Sequence, residues 1–278
     1  RCTQRQFWLK PTKLVAQIFL YCLAAAAAKT GVFIHAVCVM SNHYHILVTD
    51  PDNRIADFYA WLHKYTAKAV NASRGRCENL WSSEKTSVIP LGSVNDVLGK
   101  IVYTLANPVQ AGLVAKGSRW PGVWLFRPQS RRVKRPDVYF REDGTMPKEM
   151  SLTISSPPQF RNLSEQAYAK LVEDKLFRRE QKIAAKMGAL GRSFLGVRAV
   201  LGQRLSGTPR GRELRRGLNP KVAARSKWLR IEAIQRNKQF LTEYHQARKR
   251  WKDGDREVVF PLGTYALRIH ANVRCAPG

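Results

Sequence analysis

The stretch Val39-Met40-Ser41-Asn42-His43-Tyr44-His45-Ile46-Leu47-Val48 reads as a tight turn running into a β-strand that carries two histidines spaced i, i+2. Successive strand side chains alternate faces, so His43 and His45 project together, about 6.8 Å apart, while Tyr44, Ile46 and Val48 point the other way. Two imidazoles on one strand face can share one divalent cation. Two ordinary histidines on a half-exposed strand would spell the same letters, so the surrounding chain has to decide.

Upstream, residues 4–9 read as a strand, with Arg5, Phe7 and Leu9 on one face. Pro11-Thr12 opens a helix over 13–29, which Gly31 caps. Residues 32–40 are β-branched and aromatic, a second strand. Ser41-Asn42 then turns the chain into the histidine strand, 43–49, to make a hairpin. Downstream, 50–53 has turn composition and 55–72 has helical periodicity, with Ile55, Phe58, Leu62, Tyr65 and Ala69 on one stripe. Residues 86–91 read as a short fourth strand that Pro90 assigns to an edge. Ser93 caps the next helix, whose stripe is Val94, Val97, Leu98, Ile101 and Leu105. The order β-α-β-β-α-β is the split βαβ, ferredoxin-like form of an α+β fold. Tyr103 falls off the apolar stripe of the added last helix. Asn107 lies beside it four residues on, about 6 Å along the axis. Pro108 predicts that the helix ends at Asn107, which could then serve as its C-cap.

The histidine stretch and the later Lys100-Ile101-Val102-Tyr103-Thr104-Leu105-Ala106-Asn107-Pro108-Val109-Gln110-Ala111-Gly112-Leu113-Val114 together resemble the single-tyrosine HUH transposases, most closely the REP-associated tyrosine transposases. The resemblance covers residues 1–127, and Trp120-Pro121 matches a segment that often closes the domain. It implies a ferredoxin-like HUH endonuclease domain with an added catalytic helix. It further implies that Tyr103 is the nucleophile, that His43 and His45 are catalytic, and that His43, His45 and Asn107 hold one divalent ion. Imidazole and amide oxygen donors suit Mg²⁺ or Mn²⁺. A phenol ionises near pH ~10, so such a nucleophile needs a phosphate made more electrophilic by the metal. The implied reaction is cleavage and rejoining of single-stranded DNA, often beside a hairpin, through a phosphotyrosine link. Two alternatives stay open: a domesticated hairpin-DNA-binding protein that no longer cuts, and an HUH nickase of the relaxase or replication-initiator kind. Monomer and homodimer are both open.

The formal charge is +28 over 278 residues, which points to a polyanionic partner. It is uneven: 14 basic against 6 acidic residues in 1–120, and 34 against 14 in 121–278. Seven Trp and nine Tyr interleaved with this charge fit nucleic acid better than a membrane surface. Five cysteines, odd in number and without CxxC pairs, argue against a disulfide framework or zinc ribbon and for a reducing, cytoplasmic (nucleoid-associated) setting. Residues 13–28, basic flank then apolar run then alanines, imitate a signal peptide but read as a core helix. The chain starts at Arg1 with no initiator Met, which leaves open whether the native N-terminus lies upstream.

Residues 128–160 read as a basic, proline-containing linker and 161–278 as a basic, mainly helical extension that binds DNA. Helices are expected over 163–187, 194–205 and 222–251, and a β-like segment over 258–268. Candidate phosphate contacts near the site are Arg1, Arg5, Lys10, Lys64, Lys68, Arg74, Arg76 and Lys100. Those in the extension are Arg225, Lys227, Arg230, Arg236, Lys238, Arg248, Lys249 and Arg250. Trp228 and Trp251 could stack on bases but suit a helical core. His35 reads as a packed strand residue, His63 as a solvated helix position, Tyr65 as core. Binding to DNA is expected to weaken steeply as salt rises, measured by titration at several ionic strengths; a flat response would remove the electrostatic basis of this reading.

Overall fold

In the computed structural model, which describes residues 1–84, 86–141, 144–211 and 222–276, the strand β1 (Phe33–Val39) lies inside a mixed five-stranded sheet. It pairs antiparallel with β2 (Tyr44–Thr49) on one side. On the other it meets β3 (Trp124–Leu125) antiparallel and β5 (Glu149–Ile154) parallel, and β4 (Gln129–Lys134) pairs with β5 at the far edge. A β-bulge between Ile34 and Ala36 reverses the alternation of β1 at His35. As a result Ile34, Val37 and Val39 feed one core, while Ala36, Cys38 and Met40 feed the other.

Each face of the sheet carries helices. On one lie α1 (Lys13–Thr30) and α2 (Ile55–Ser73), packed on each other and on the sheet. The α1 helix begins with Thr12 accepting from the Val15 N–H (3.1 Å) and ends at Gly31 in the left-handed region (φ 72°). It is long and apolar enough to reach across a bilayer, yet most of it is buried in the core, including Tyr21, Cys22 and Leu23. On the other face lie α3 (Val94–Gln110) and α4 (Glu165–Ala189). Ser93 caps α3 by accepting from Asp96 N–H (3.2 Å), as its sequence predicts.

The fold is α+β, but the β-α-β-β-α-β order does not form. Residues 4–9 make no strand: Thr3–Arg5 is a 3-10 turn with Gln4 and Arg5 at positive φ, and Phe7 and Leu9 N–H groups donate to Leu205 and Ser41 carbonyls. Residues 86–91 contribute only an isolated bridge between Leu91 and Ala223. The places beside β1 are taken by β3 and β5, from further along the chain. The expected linker is corrected accordingly: β4 and β5 belong to the sheet, with Leu152 and Ile154 in its core. Nor does residue 127 end the packed unit, because Tyr168, Val172, Leu176, Ile183 and Met187 of α4 share a core with α3.

A second correction concerns α3. Pro108 does not stop it; the helix runs to Gln110 and ends at Gly112 (φ 69°). Pro108 and Val109 are buried against the sheet and α4, and the Asn107 side chain bonds back to the Tyr103 carbonyl, so packing holds the last turn. Asn107 is therefore not the C-cap; that position is Ala111.

Of the extension, α5 (Val197–Gly202) is shorter than expected, and α6 (Lys227–Lys252) is a long, mostly exposed helix. A small satellite core of Ala247, Val258, Phe260 and Val273 holds its end. The β-like 258–268 segment is instead one bridge, Phe260 to Cys275, followed by α7 (Tyr265–His270), since Gly263 turns at φ 107°. Residues 142–143, 212–221 and 277–278 of the expected linker and extension lie outside the described residues. If 128–160 is sheet rather than linker, Leu152→Ala should cost about 2–5 kcal/mol in urea unfolding, the range for a fully buried leucine; a loss under about 0.5 kcal/mol, typical of surface positions, would contradict it.

Candidate active site and nucleic-acid interface

Ser41 and Asn42 make the turn between β1 and β2, closed by the Met40 N–H donating to the His43 carbonyl (2.8 Å). The N-terminal segment clamps that turn. Cys2 N–H donates to the Asn42 carbonyl (2.6 Å), Leu9 N–H to the Ser41 carbonyl (2.9 Å), and Asn42 Nδ2 to the Arg5 carbonyl (2.8 Å). With its amide nitrogen spent as a donor, Asn42 offers Oδ1 to His43 Nδ1 (2.7 Å). Nδ1 therefore carries the proton, and the Nε2 lone pair is left free to bind.

The His43 and His45 rings lie 5.0 Å apart, nearly perpendicular at 88°. His45 stands 5.5 Å from the Tyr103 ring at 86°. Asn107 lies near enough to His45 to favour its protonated form, and it donates Nδ2 to the Tyr103 carbonyl (2.8 Å). The structure thus brings together all four residues that the sequence places 58 or more positions apart in two motifs. Burial pushes His43 down to about 3, with His45 beside it adding to the effect. Burial, then the Lys100 charge, takes His45 to about 4, against a partial pull upward from Asn107. Both imidazoles are neutral near pH 7, the state that can coordinate a metal. No cluster of three or more His, Cys, Asp or Glu forms among the described residues.

Tyr103 is 37% exposed, the accessible end of this cluster. Two cations flank its ring: Lys100 Nζ at 4.8 Å and Arg179 Cζ at 5.9 Å from the centroid. Arg179 comes from α4.

The other expected phosphate contacts disperse. Arg1 pairs with Glu84 (2.8 Å), Arg5 donates to the Gly211 carbonyl (3.0 Å) and Lys10 to the Gln203 carbonyl (2.9 Å). Lys64 and Lys68 are on α2, across the sheet from the histidines, each over a tyrosine ring. Arg76 stacks on Trp8 at 3.6 Å, and Arg74 is partly buried. Arg225 lies against Gly99 of α3, its N–H donating to Asp96 (3.1 Å), while Lys227 and Arg230 are exposed at the start of α6. Of the block near the motif, Lys100 alone reaches Tyr103. Trp228 is 77% exposed rather than core. Trp251 carries Arg256 over its ring at 4.2 Å.

His63 also corrects its reading. It packs 4.8 Å from the Trp81 ring, bonds the Tyr44 hydroxyl, and burial pushes it down to about 4. His35 is buried at the bulge, between Ser155 O and Thr49 Oγ1 (2.8 Å each). Tyr65 is half-buried against Trp61 (4.1 Å). Sequence reasoning passed over Asn42 and Arg179. The first was legible as an amide placed directly before the histidine pair; no local signal marks the second.

Residues 1–87 match the family model described as Transposase IS200 like. The match includes His43 and His45 and stops short of Tyr103 and Asn107. Neither the curated proteins nor the solved structures hold a significant match to the chain.

Four histidines, His35, His43, His45 and His63, held below their unfolded value of ~6.5 make stability pH-dependent. The unfolded chain binds more protons between about pH 6.5 and about pH 3, so stability is full above this window and falls as pH drops through it. Urea midpoints in chelator-treated buffer should decline across that window, and less so for His63→Gln. Equal slopes for the two proteins would mean that His63 is not held neutral by its packing.

Proposed function

We propose that the chain is a metal-dependent endonuclease and strand transferase for single-stranded DNA, and that Tyr103 is its nucleophile. The observation that carries this reading is the approach of Tyr103, on α3, to the His43–His45 pair at the start of β2, with Asn107 beside His45 and bonded to the Tyr103 carbonyl. His43 Nε2, His45 and the Asn107 amide oxygen would hold one Mg²⁺ or Mn²⁺, a donor set these hard cations accept. Bound there, the ion would draw charge from the non-bridging oxygens of a phosphodiester.

The protein's own residues do the rest. Asn42 holds His43 in the tautomer that frees Nε2. Asn107 is oriented by its bond to the Tyr103 carbonyl, which ties the donor amide to the residue that attacks. The Tyr103 hydroxyl oxygen bonds to phosphorus as the bond from phosphorus to the 3′-oxygen breaks. The phenolic proton is lost and the departing oxygen leaves as a 3′-hydroxyl. The phosphotyrosine ester conserves the bond, so a second 3′-hydroxyl reverses the attack and joins a new strand without ATP. Hairpin-containing DNA is the natural substrate under the resemblance to REP-associated tyrosine transposases.

The test is a denaturing-gel assay on labelled single-stranded hairpin DNA with Mn²⁺ or Mg²⁺ against EDTA. The expected result is a covalent adduct that EDTA and Tyr103→Phe each abolish, while affinity for the DNA changes less than about threefold in the variant, since only an attacking oxygen is removed. Tight binding without an adduct in either metal would instead favour a DNA-binding protein that no longer cuts.

A further inference from the structure

Helix α4 lies outside the matched region, yet it reaches the nucleophile through Arg179. That residue is half-buried, its Nε has no hydrogen-bond partner among the described residues, and its guanidinium meets Gln110 (3.4 Å) and the Tyr103 ring. Among the described residues it has no carboxylate partner. A half-buried cation without a counter-charge has given up hydration for little return, which suits a site that an anion completes.

The neighbours of Arg179 extend the pattern. At 100° per residue, Lys175, Arg178, Arg179, Lys182 and Lys186 fall within an arc of about 100° of the helix, beside the buried stripe of Val172, Leu176, Ile183 and Met187. Lys175, Arg178, Lys182 and Lys186 are exposed, and none is ion-paired among the described residues. The acidic residues of α4 do not offset them. Glu173 pairs with Arg127, Asp174 with Lys170 (3.5 Å), and Glu180 is buried, accepting the Gly117 N–H (2.7 Å). Glu165 is ten residues before Lys175, at the other end of the helix. The result is an uncompensated basic flank about 16 Å long, spaced at one cation per turn. The adjoining exposed side of α3 adds Lys100 and Gln110 and no acid. The basic helix α6 is richer in charge, but no contact of its exposed face leads to Tyr103.

We propose that this flank of α4 is a phosphate-binding track that holds single-stranded DNA and leads one of its phosphates, at Arg179 and Lys100, to Tyr103. The end point rests on the reading of Tyr103 as nucleophile; the affinity of the track for the DNA backbone does not. Arg179 contacts the phosphate under attack, whereas Lys175, Arg178, Lys182 and Lys186 hold phosphates farther along the strand.

The track is tested with the full chain and a fluorescein-labelled single-stranded oligodeoxynucleotide, by anisotropy at several salt concentrations. Lys175→Glu/Lys182→Glu should bind at least about tenfold more weakly and lower the salt slope by about 1.4, two contacts at ~0.7 each. Lys13→Glu/Lys29→Glu, the same charge change on exposed positions of α1 across the sheet, should shift affinity less than about threefold. Equal weakening by both pairs, or none by the α4 pair, overturns the track, with thermal melts establishing that each variant is folded. At saturating DNA, Arg179→Ala should slow adduct formation at least about tenfold and Arg179→Lys should recover part of the rate; an unchanged rate removes Arg179 from the site. If the unaltered protein forms no adduct at all, the nucleophile reading fails and the binding comparison still decides the track.

Discussion

Everything in this structure hangs on β1 being buried on both of its faces. A strand in that position must satisfy its backbone on both edges and fill two cores at once. It does so with β2 on one edge and with β3 and β5 on the other, and mostly with small or β-branched side chains, Phe33 and His35 excepted. The bulge at His35 is the device that makes two cores possible. It shifts the alternation by one residue, so that Ala36, Cys38 and Met40 present a small-residue surface to α3. The buried imidazole at the bulge is satisfied by Ser155 and Thr49, which ties β5 and β2 to the same point.

The geometry of the site follows from that arrangement. Because β2 is an edge strand paired to β1, its His43 and His45 face the layer occupied by α3. Because α3 is packed on one side by β1 and on another by α4, its remaining surface is narrow, and Tyr103 lies on it. The clamp of the N-terminal segment on the 41–42 turn replaces the strand that this segment fails to form. Backbone donors of Cys2 and Leu9 and the side chain of Asn42 fix the turn. A turn held in this way sets the tautomer and orientation of His43 before any ligand arrives, the kind of pre-organisation that a coordinating residue needs.

Charge is distributed with similar economy. The basic residues nearest the motif in sequence are largely committed, Arg1 to Glu84, Arg5 and Lys10 to backbone carbonyls, Arg76 to Trp8. An uncompensated basic flank forms instead on α4, far along the chain. The chain beyond residue 127 is therefore not an appendage to a finished domain: β4 and β5 complete the sheet and α4 fills part of one core.

The sequence by itself determined the hairpin, the longer helices and the two motifs that the fold brings together. The i, i+2 spacing of His43 and His45, the i, i+4 spacing of Tyr103 and Asn107, the Ser93 and Thr12 caps and the Gly31 stop are local rules, and periods of 2 and 3.6 residues suffice to read them. Only the tertiary structure decided what lies beside β1, where α3 ends and which cations reach the tyrosine. Strand propensity in residues 4–9 lost to hydrogen bonds with the 41–42 turn and with residues 205–207. The helix-breaking tendency of Pro108 lost to burial of Pro108 and Val109. Arg179 meets Tyr103 across 76 residues of chain. Pairings of this kind are non-local: they depend on which surfaces are left to be buried once the local elements exist, and no spacing within a single segment encodes them.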